Sequence, residues 1–447
     1  MASAAEQLAA NFSFSSFAKA AELKRRILFT LMMLVIYRLG TYIPAPGVDP
    51  AVLAQIFSKH ASGILGIFDT FTGGALGRMS VFALNIMPYI SASIIVQLMS
   101  AVSPKLEALK KEGPSGQRVL NQYTRYLTVF LATFQAYALA AGLQGLGSTV
   151  AAAGLPVGVT MLTTVISLVC GTIFLMWVGE QITARGIGNG ISLIIFAGIV
   201  ANLPSAFVQT LELGRTGALS SWVVISILIL AVAVIALIVF MERAQRRIPI
   251  HHPKRQVGNK IYGGESTHMP LKLNTAGVIP PIFASALLLL PLTVLNFGGQ
   301  AAQSVMLGDV AALLGHGTPL YMALYALLIV FFAFFYTAIV FNPMETAENL
   351  RKHGAFVPGI RPGRNTAMHL DAVLTRLTGV GALYLTLVCL MPEFLIAEYG
   401  IPYYFGGTSL LIVVTVTIDT VTQVQSHLLA HQYEGLIRKT KLKGKGR

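Results

Sequence analysis

Asn85-Ile-Met-Pro-Tyr-Ile-Ser-Ala-Ser93 and Gly277-Val-Ile-Pro-Pro-Ile-Phe-Ala-Ser285 carry proline, isoleucine, alanine and serine at matching positions 192 residues apart. Both lie in long apolar runs, and together they mark an internal repeat. A second pair, Gly190-Ile-Ser-Leu-Ile-Ile195 and Gly407-Thr-Ser-Leu-Leu-Ile412, is offset by 217. The two halves are therefore one design built twice, with an insertion in the second copy.

The solvent for this design is lipid. The chain has 447 residues, 55% of them hydrophobic and 11% charged, with a mean hydropathy of +0.69, too apolar for a soluble globular protein. Crossing ~30 Å of hydrocarbon takes ~20 apolar residues in a helix, because every backbone amide must bond internally there. Ten stretches qualify: 27–44, 81–101, 126–143, 160–179, 189–209, 220–241, 273–295, 319–341, 370–392 and 404–426. The expectation is an all-α polytopic membrane protein of ten transmembrane helices. Residues 1–26 form a cytoplasmic N-terminus, 27–209 the first half, 210–426 the second half and 427–447 a basic cytoplasmic C-terminus. Five spans per half is an odd number, so the halves enter the bilayer with opposite orientation, as inverted repeats around a central pore.

Charge sets the orientation. The formal net charge is +14, which by itself could point to nucleic acid. With the N-terminus in the cytoplasm, however, 28 of the 32 Lys and Arg fall on that side once span edges are included, leaving Lys59, Arg78 and Arg215 opposite and Arg38 inside the first span. Cationic loops stay on the cytoplasmic side during insertion, so the basicity is topological. Lys24-Arg25-Arg26 imitates a signal peptide, but the apolar run after it is long and lacks a small-x-small cleavage site, so it reads as a retained helix. Cys170 and Cys389 each lie within a span, where a cysteine packs between helices.

Between the first two spans, Ile64-Leu-Gly-Ile-Phe-Asp-Thr-Phe-Thr-Gly-Gly-Ala-Leu-Gly-Arg78 is too short to cross and too apolar for water. Two readings stand: a half-helix ended by Gly73-Gly74 and tucked into the protein, or an amphipathic helix on the membrane surface. The large cytoplasmic loops are 242–272 and 342–369. The first is dense in cations, with Gly258 and Gly263-Gly264 as turn points. The second holds Gly354-Ala-Phe-Val-Pro-Gly-Ile-Arg-Pro-Gly363, a stiff turn that projects Arg361.

Catalysis has little to stand on. The sequence holds no GxxxxGK, HExxH or CxxC motif. His427 and His431 are spaced i, i+4 with Glu434 beyond, but no fourth ligand joins them, and they read as an ordinary helix end with no metal. A secondary transporter of a small solute, the alternative function, needs an ionisable group at the midplane. Asp419 alone lies well inside a span, near its end, while Glu180, Glu242 and Asp371 sit at span edges. The repeated spans carry isoleucine instead: Ile86 and Ile90, Ile191 and Ile195, then Ile282 and Ile412 at repeat-equivalent places. They are either ordinary packing residues or a ring around an apolar constriction that gates by dewetting. Proline before the isoleucine would loosen each helix there.

At these residues the chain resembles SecY, the channel subunit of the bacterial protein-conducting translocon. The resemblance rests on Tyr42-Ile-Pro-Ala-Pro-Gly47, Ala83 through Ser93, Gly179-Glu-Gln-Ile-Thr-Ala-Arg-Gly-Ile-Gly-Asn-Gly190, Phe341-Asn-Pro343, Gly354 through Gly363 and Tyr404-Phe-Gly-Gly-Thr-Ser409. It implies a pore ring of Ile86, Ile90, Ile191, Ile195, Ile282 and Ile412. It implies a plug over 64–78, comprising Ile64, Leu65, Ile67, Phe68, Phe71, Gly73, Gly74 and Arg78, which favours the tucked-in reading. A lateral gate is implied between spans two and three and spans seven and eight, with Ser91, Gln97 and Asn274 lining it. Docking of a SecA motor or a ribosome falls on Lys254, Arg255, Lys260 and Arg361. Family members often carry two consecutive basic residues after a glycine, and this chain departs with Gly258-Asn259-Lys260. The implied function is a passive protein-conducting channel, not an enzyme, with no cofactor. Its implied setting is the bacterial inner membrane with both termini cytoplasmic, together with SecE-like and SecG-like subunits, signal-bearing preproteins and membrane lipids. Nucleic acid is met only through the ribosome.

Overall fold

Proline and glycine decide where the helices of this protein begin. The computed structural model describes residues 21–48, 69, 72–145, 156–216, 220–252, 255–257, 260–262, 266–297, 318–399 and 407–443. Within them a long helix occupies each of the ten expected stretches. These are α1 (Ala21–Gly40), α2 (Met87–Val102), α4 (Pro114–Gly145), α5 (Val157–Arg185), α6 (Gly190–Arg215), α7 (Ser221–Arg243), α8 (Ile279–Phe297), α9 (Pro319–Val340), α11 (Arg364–Tyr399) and α12 (Gly407–Lys443). Two short polar helices join them, α3 (Pro104–Lys111) and α10 (Pro343–Lys352). By length and composition, six described helices can cross a membrane: α5, α6, α7, α9, α11 and α12. A seventh is added if α2 and α3, bent by 100° where they meet, form one broken span.

The loop 242–272 adds a β ribbon to this helical fold. Strand β1 (Gln245–His251) pairs antiparallel with β4 (Ser266–Lys272), and β2 (Arg255–Val257) pairs with β3 (Lys260–Tyr262). The alternation Arg247-Ile248-Pro249-Ile250-His251 carries the strand signal, with Ile248 and Ile250 buried and their neighbours exposed.

The prolines of the repeat start helices and do not loosen them. Pro88 lies in the first turn of α2, and Pro280 and Pro281 lie in that of α8. A first-turn N–H has no intrahelical partner, so proline loses nothing there. Residues 81–86 and 273–278, expected inside spans, are accordingly turns leading into the helices. The repeat extends to the backbone: Asn85 has φ +49 and its equivalent Gly277 has φ +62. Asn and Gly are the residues that adopt this left-handed conformation at least cost.

The second repeated motif marks a close helix contact. A Cβ on Gly190, the first residue of α6, would lie 2.0 Å from the Gly179 carbonyl oxygen of α5. At Gly407, the first residue of α12, a Cβ would lie 2.0 Å from the Val388 carbonyl oxygen of α11.

Packing follows the repeat as well. In the first half α2, α4, α5 and α6 pack in succession, with α1 against α5 and α6; in the second, α8, α9, α11 and α12 pack in succession, with α7 against α12. The halves meet where α8 packs on α2 and α4, and again where α6 packs on α12. A hydrophobic cluster through the middle takes residues from both halves, among them Tyr37, Ile94, Ile194, Phe283, Phe332 and Leu411.

Gly190→Ala and Gly407→Ala each force a methyl into a backbone carbonyl that cannot give way, at a cost of about 1–3 kcal/mol for overpacking. Both variants should melt several degrees lower in detergent. Gly379→Ala, where nothing lies within 4 Å of the added carbon, should not, and equal melting of all three would contradict the close contacts.

Candidate functional site: an apolar constriction, its plug segment and a cytoplasmic face

Each of the six isoleucines lies at or near a helix start. Ile86 caps α2 and Ile90 sits in its first turn; Ile191 and Ile195 occupy the first two turns of α6. Ile282 lies in the first turn of α8, and Ile412 in the second of α12. All six belong to the central cluster, with Ile86, Ile90, Ile195 and Ile412 buried in it and Ile191 and Ile282 partly buried against it.

The segment 64–78, expected to be a plug, is described at Asp69 and from Thr72 onward; Ile64, Leu65, Ile67, Phe68 and Phe71 lie outside the described residues. Gly73 and Gly74, at φ +69 and +81, turn the chain. Arg38 of α1 donates through Nη1 to the Gly73 carbonyl at 2.8 Å, and Arg78 donates to the same oxygen at 3.1 Å. Arg38 also donates to the Tyr42 hydroxyl at 2.9 Å, and both guanidiniums lie over the Tyr42 ring, 4.9 and 4.3 Å from its centre. The cation that stood alone inside the first span is thus spent on the foot of the plug segment, where a carbonyl and an aromatic face stabilise it. On the other side Gly73 abuts α6, and a Cβ there would lie 3.0 Å from Gly198 Cα. The Asp69 carboxylate accepts from the Gly77 amide at 2.7 Å, closing the turn.

The expected gate residues separate. Ser91 is buried on α2, and Gln97 donates to Ser93 one turn away on the same helix. Asn274 is buried within the second half, where its amide donates to Glu242 of α7 at 2.7 Å and to the Gly277 carbonyl at 3.0 Å. Across the seam itself, Lys110 of α3 donates to the Ile339 carbonyl at the C-terminal end of α9 at 3.4 Å.

The loops 242–272 and 342–369 make one platform. His251 at the end of β1 and Phe356 exchange backbone hydrogen bonds of 2.9 and 3.0 Å, and their rings stack. Beneath them Ile248 and Leu271 of the ribbon pack with Val357, Leu370, Val373, Leu374 and Leu377. Arg361 is exposed on a turn held by Gly359 and Gly363, both at positive φ, and its carbonyl accepts from Thr366 at 3.0 Å. Arg255 and Lys260 sit on the paired strands β2 and β3, while Lys254 lies outside the described residues. The bridge between the loops escaped sequence reasoning because pairing of strands about 105 residues apart leaves no local pattern.

A profile of the SecY family matches residues 80–421. The chain belongs to the SecY family. The protein translocase subunit SecY of Rickettsia typhi is 56% identical over 426 residues, covering 94% of this chain and 97% of that one. SecY of Vibrio cholerae is 54% identical over 431 residues (95% and 96%), and SecY of Escherichia coli K12 is 53% identical over 426 (95% and 96%). Among solved structures, a protein-conducting channel superposes with a TM-score of 0.64 at 19% identity over 91% of this chain and 92% of that one. Sec61 from the canine ribosome–channel complex of the endoplasmic reticulum gives 0.62 at 19% identity over the same shares. At these identities the structures speak for the fold; the SecY relatives speak for the family.

If the loops of this SecY-family chain form one platform, a cavity beneath it loosens both. Leu370→Ala removes a fully buried side chain from the shared core, which costs about 2–5 kcal/mol. Amide exchange should accelerate at 246–250 and at 355–360 together; acceleration confined to the second stretch would contradict a shared core.

Proposed function

We propose that this chain is a channel through which unfolded polypeptide crosses the bacterial inner membrane and from which apolar segments leave sideways into lipid. The observation that carries the reading is the meeting of six isoleucines, from helix starts in both halves, in one apolar cluster of a SecY-family chain. Such a ring offers water and ions no hydrogen bonds, so it seals by dewetting. Isoleucine deforms around side chains of any shape without binding them, whereas a charged filter would hold the substrate.

In this reading residues 64–78 are the plug, anchored at Gly73 and Arg78 and resting under the ring. The lateral gate runs between α2 and α4 on one side and α8 and α9 on the other, with Ser91 and Gln97 on α2 and Asn274 in the turn that leads into α8. The ribbon and the Arg361 turn receive a SecA motor or a ribosome, through Arg255, Lys260 and Lys254 as well. Support for a ribosome comes from the Sec61 structure, which is a ribosome–channel complex. The motor or ribosome supplies the energy. SecE-like and SecG-like subunits complete the assembly, both termini face the cytoplasm, and preproteins enter by their signal sequences.

Deleting residues 64–78 leaves the ring to seal alone, and resting proteoliposomes of that variant should leak chloride; flux equal to the full chain would remove the plug assignment. Arg361→Glu should abolish motor-driven translocation of a secretory precursor while the protein still inserts, because the like-charge contact it creates opposes docking. Normal translocation by that variant would take Arg361 out of the docking face.

A further inference from the structure

One buried hydrogen bond ties the foot of the docking ribbon to the start of a pore helix. Glu242 lies near the end of α7, three residues before β1, and Asn274 lies two residues after β4 and five before α8. Their side chains are 8% and 4% exposed. The Asn274 amide donates to Glu242 Oε1 at 2.7 Å and to the Gly277 carbonyl at 3.0 Å. Just above, the Leu273 amide donates to the Ala244 carbonyl at 2.9 Å, closing the two legs of the ribbon. Gly277, at φ +62, is the left-handed residue from which α8 departs. A single amide group therefore holds both the root of the ribbon and the residue that aims α8.

The joint is walled on its far side. At Gly381 of α11 a Cβ would lie 3.2 Å from the Leu273 carbonyl oxygen and 3.6 Å from Asn274 Cα. α11 closes this side of the joint, so Asn274 has little room to retreat, and both partners of the bond are buried. If the bond breaks, a buried carboxylate loses its amide donor, a costly state. At the other end of the lever, α8 carries Ile282 and is the helix that closes the seam against α2 and α4.

We propose that Glu242, Asn274 and Gly277 form the joint that turns a displacement of the docking ribbon into a displacement of α8, so that a partner seated on the cytoplasmic face loosens the seam. Glu242 and Asn274 are positioning residues here. The proposal rests on the docking and gate readings above, and the experiment separates its failure from theirs.

The native complex is placed in lipid nanodiscs with spin labels at positions 126 and 287, exposed sites on α4 and α8, in a Cys170→Ser, Cys389→Ala background. Bacterial ribosomes carrying a stalled signal-bearing chain are added, and binding is measured separately by co-sedimentation. In the otherwise native chain, ribosome binding should shift the distance between labels. Asn274→Ala should keep ribosome affinity within about twofold and lose the shift, since coupling and docking are separate free energies. Glu242→Gln, which keeps an acceptor oxygen for Asn274, should retain the shift. Because Asn274→Ala strands a carboxylate, the double variant Glu242→Met, Asn274→Ala is measured beside it and should also lose the shift. A native-size shift in both alanine-bearing variants would overturn the joint, as would a tenfold loss of affinity, which would place Asn274 in the docking face. Failure of ribosomes to sediment with the native chain would remove the docking reading and the joint with it.

Discussion

A helix that begins inside a membrane protein leaves its first backbone N–H groups without partners, and lipid supplies none. Four helices of this chain begin at its centre, and each solves the problem locally. Pro88 stands in the first turn of α2 and Pro280-Pro281 in that of α8, each proline removing one donor. At α6 the Thr183 hydroxyl accepts from Gly190 and the Asn189 side chain accepts from Ile191. At α12 the lack of a side chain at Gly407 brings the helix start against the Val388 carbonyl. Beside these starts the side chains are apolar. Isoleucine stands there in all four.

That constraint explains why so much of the fold was legible in two short repeats. Asn85-Ile-Met-Pro and Gly277-Val-Ile-Pro encode a left-handed residue followed by a helix start, and Gly190 and Gly407 encode starts pressed onto a neighbour's backbone. Hydrophobic periodicity placed the helices, though it ran α2 and α8 back through residues that are turns, because apolar composition does not register where proline permits a helix to begin. The six isoleucines stand at or near those same helix starts. What stayed hidden depends on long-range pairing: the His251–Phe356 bridge, the Arg38–Gly73 contact and the Asn274–Glu242 bond join residues whose types promise nothing about one another. Arg38 was conspicuous as a cation inside a span, yet only the fold shows that its partner is a plug carbonyl.

The parts form a chain of contacts from the loop platform to the central apolar cluster. The ribbon and the Arg361 turn share a core at Leu370, and the ribbon's foot is bonded to the start of α8. Ile282 on α8 then packs against the cluster that holds the other five isoleucines. On the opposite side of that cluster, α1 and α6 hold the foot of the plug segment through Arg38 and Gly198. A channel of this kind needs no chemistry of its own, because its work is to let a driven chain pass an apolar constriction and then close behind it.

The central assignment is that the translocating chain passes through the isoleucine ring, and site-specific photocrosslinking tests it most directly. A photoreactive residue is placed in turn at positions 86, 90, 191, 195, 282 and 412, and at the lipid-exposed positions 229 and 383. A secretory precursor is then stalled in transit by a folded C-terminal domain. The expected result is crosslinking of the precursor from the six ring positions and not from the two controls. Crosslinks from the controls at equal yield, or none from the ring, would contradict it.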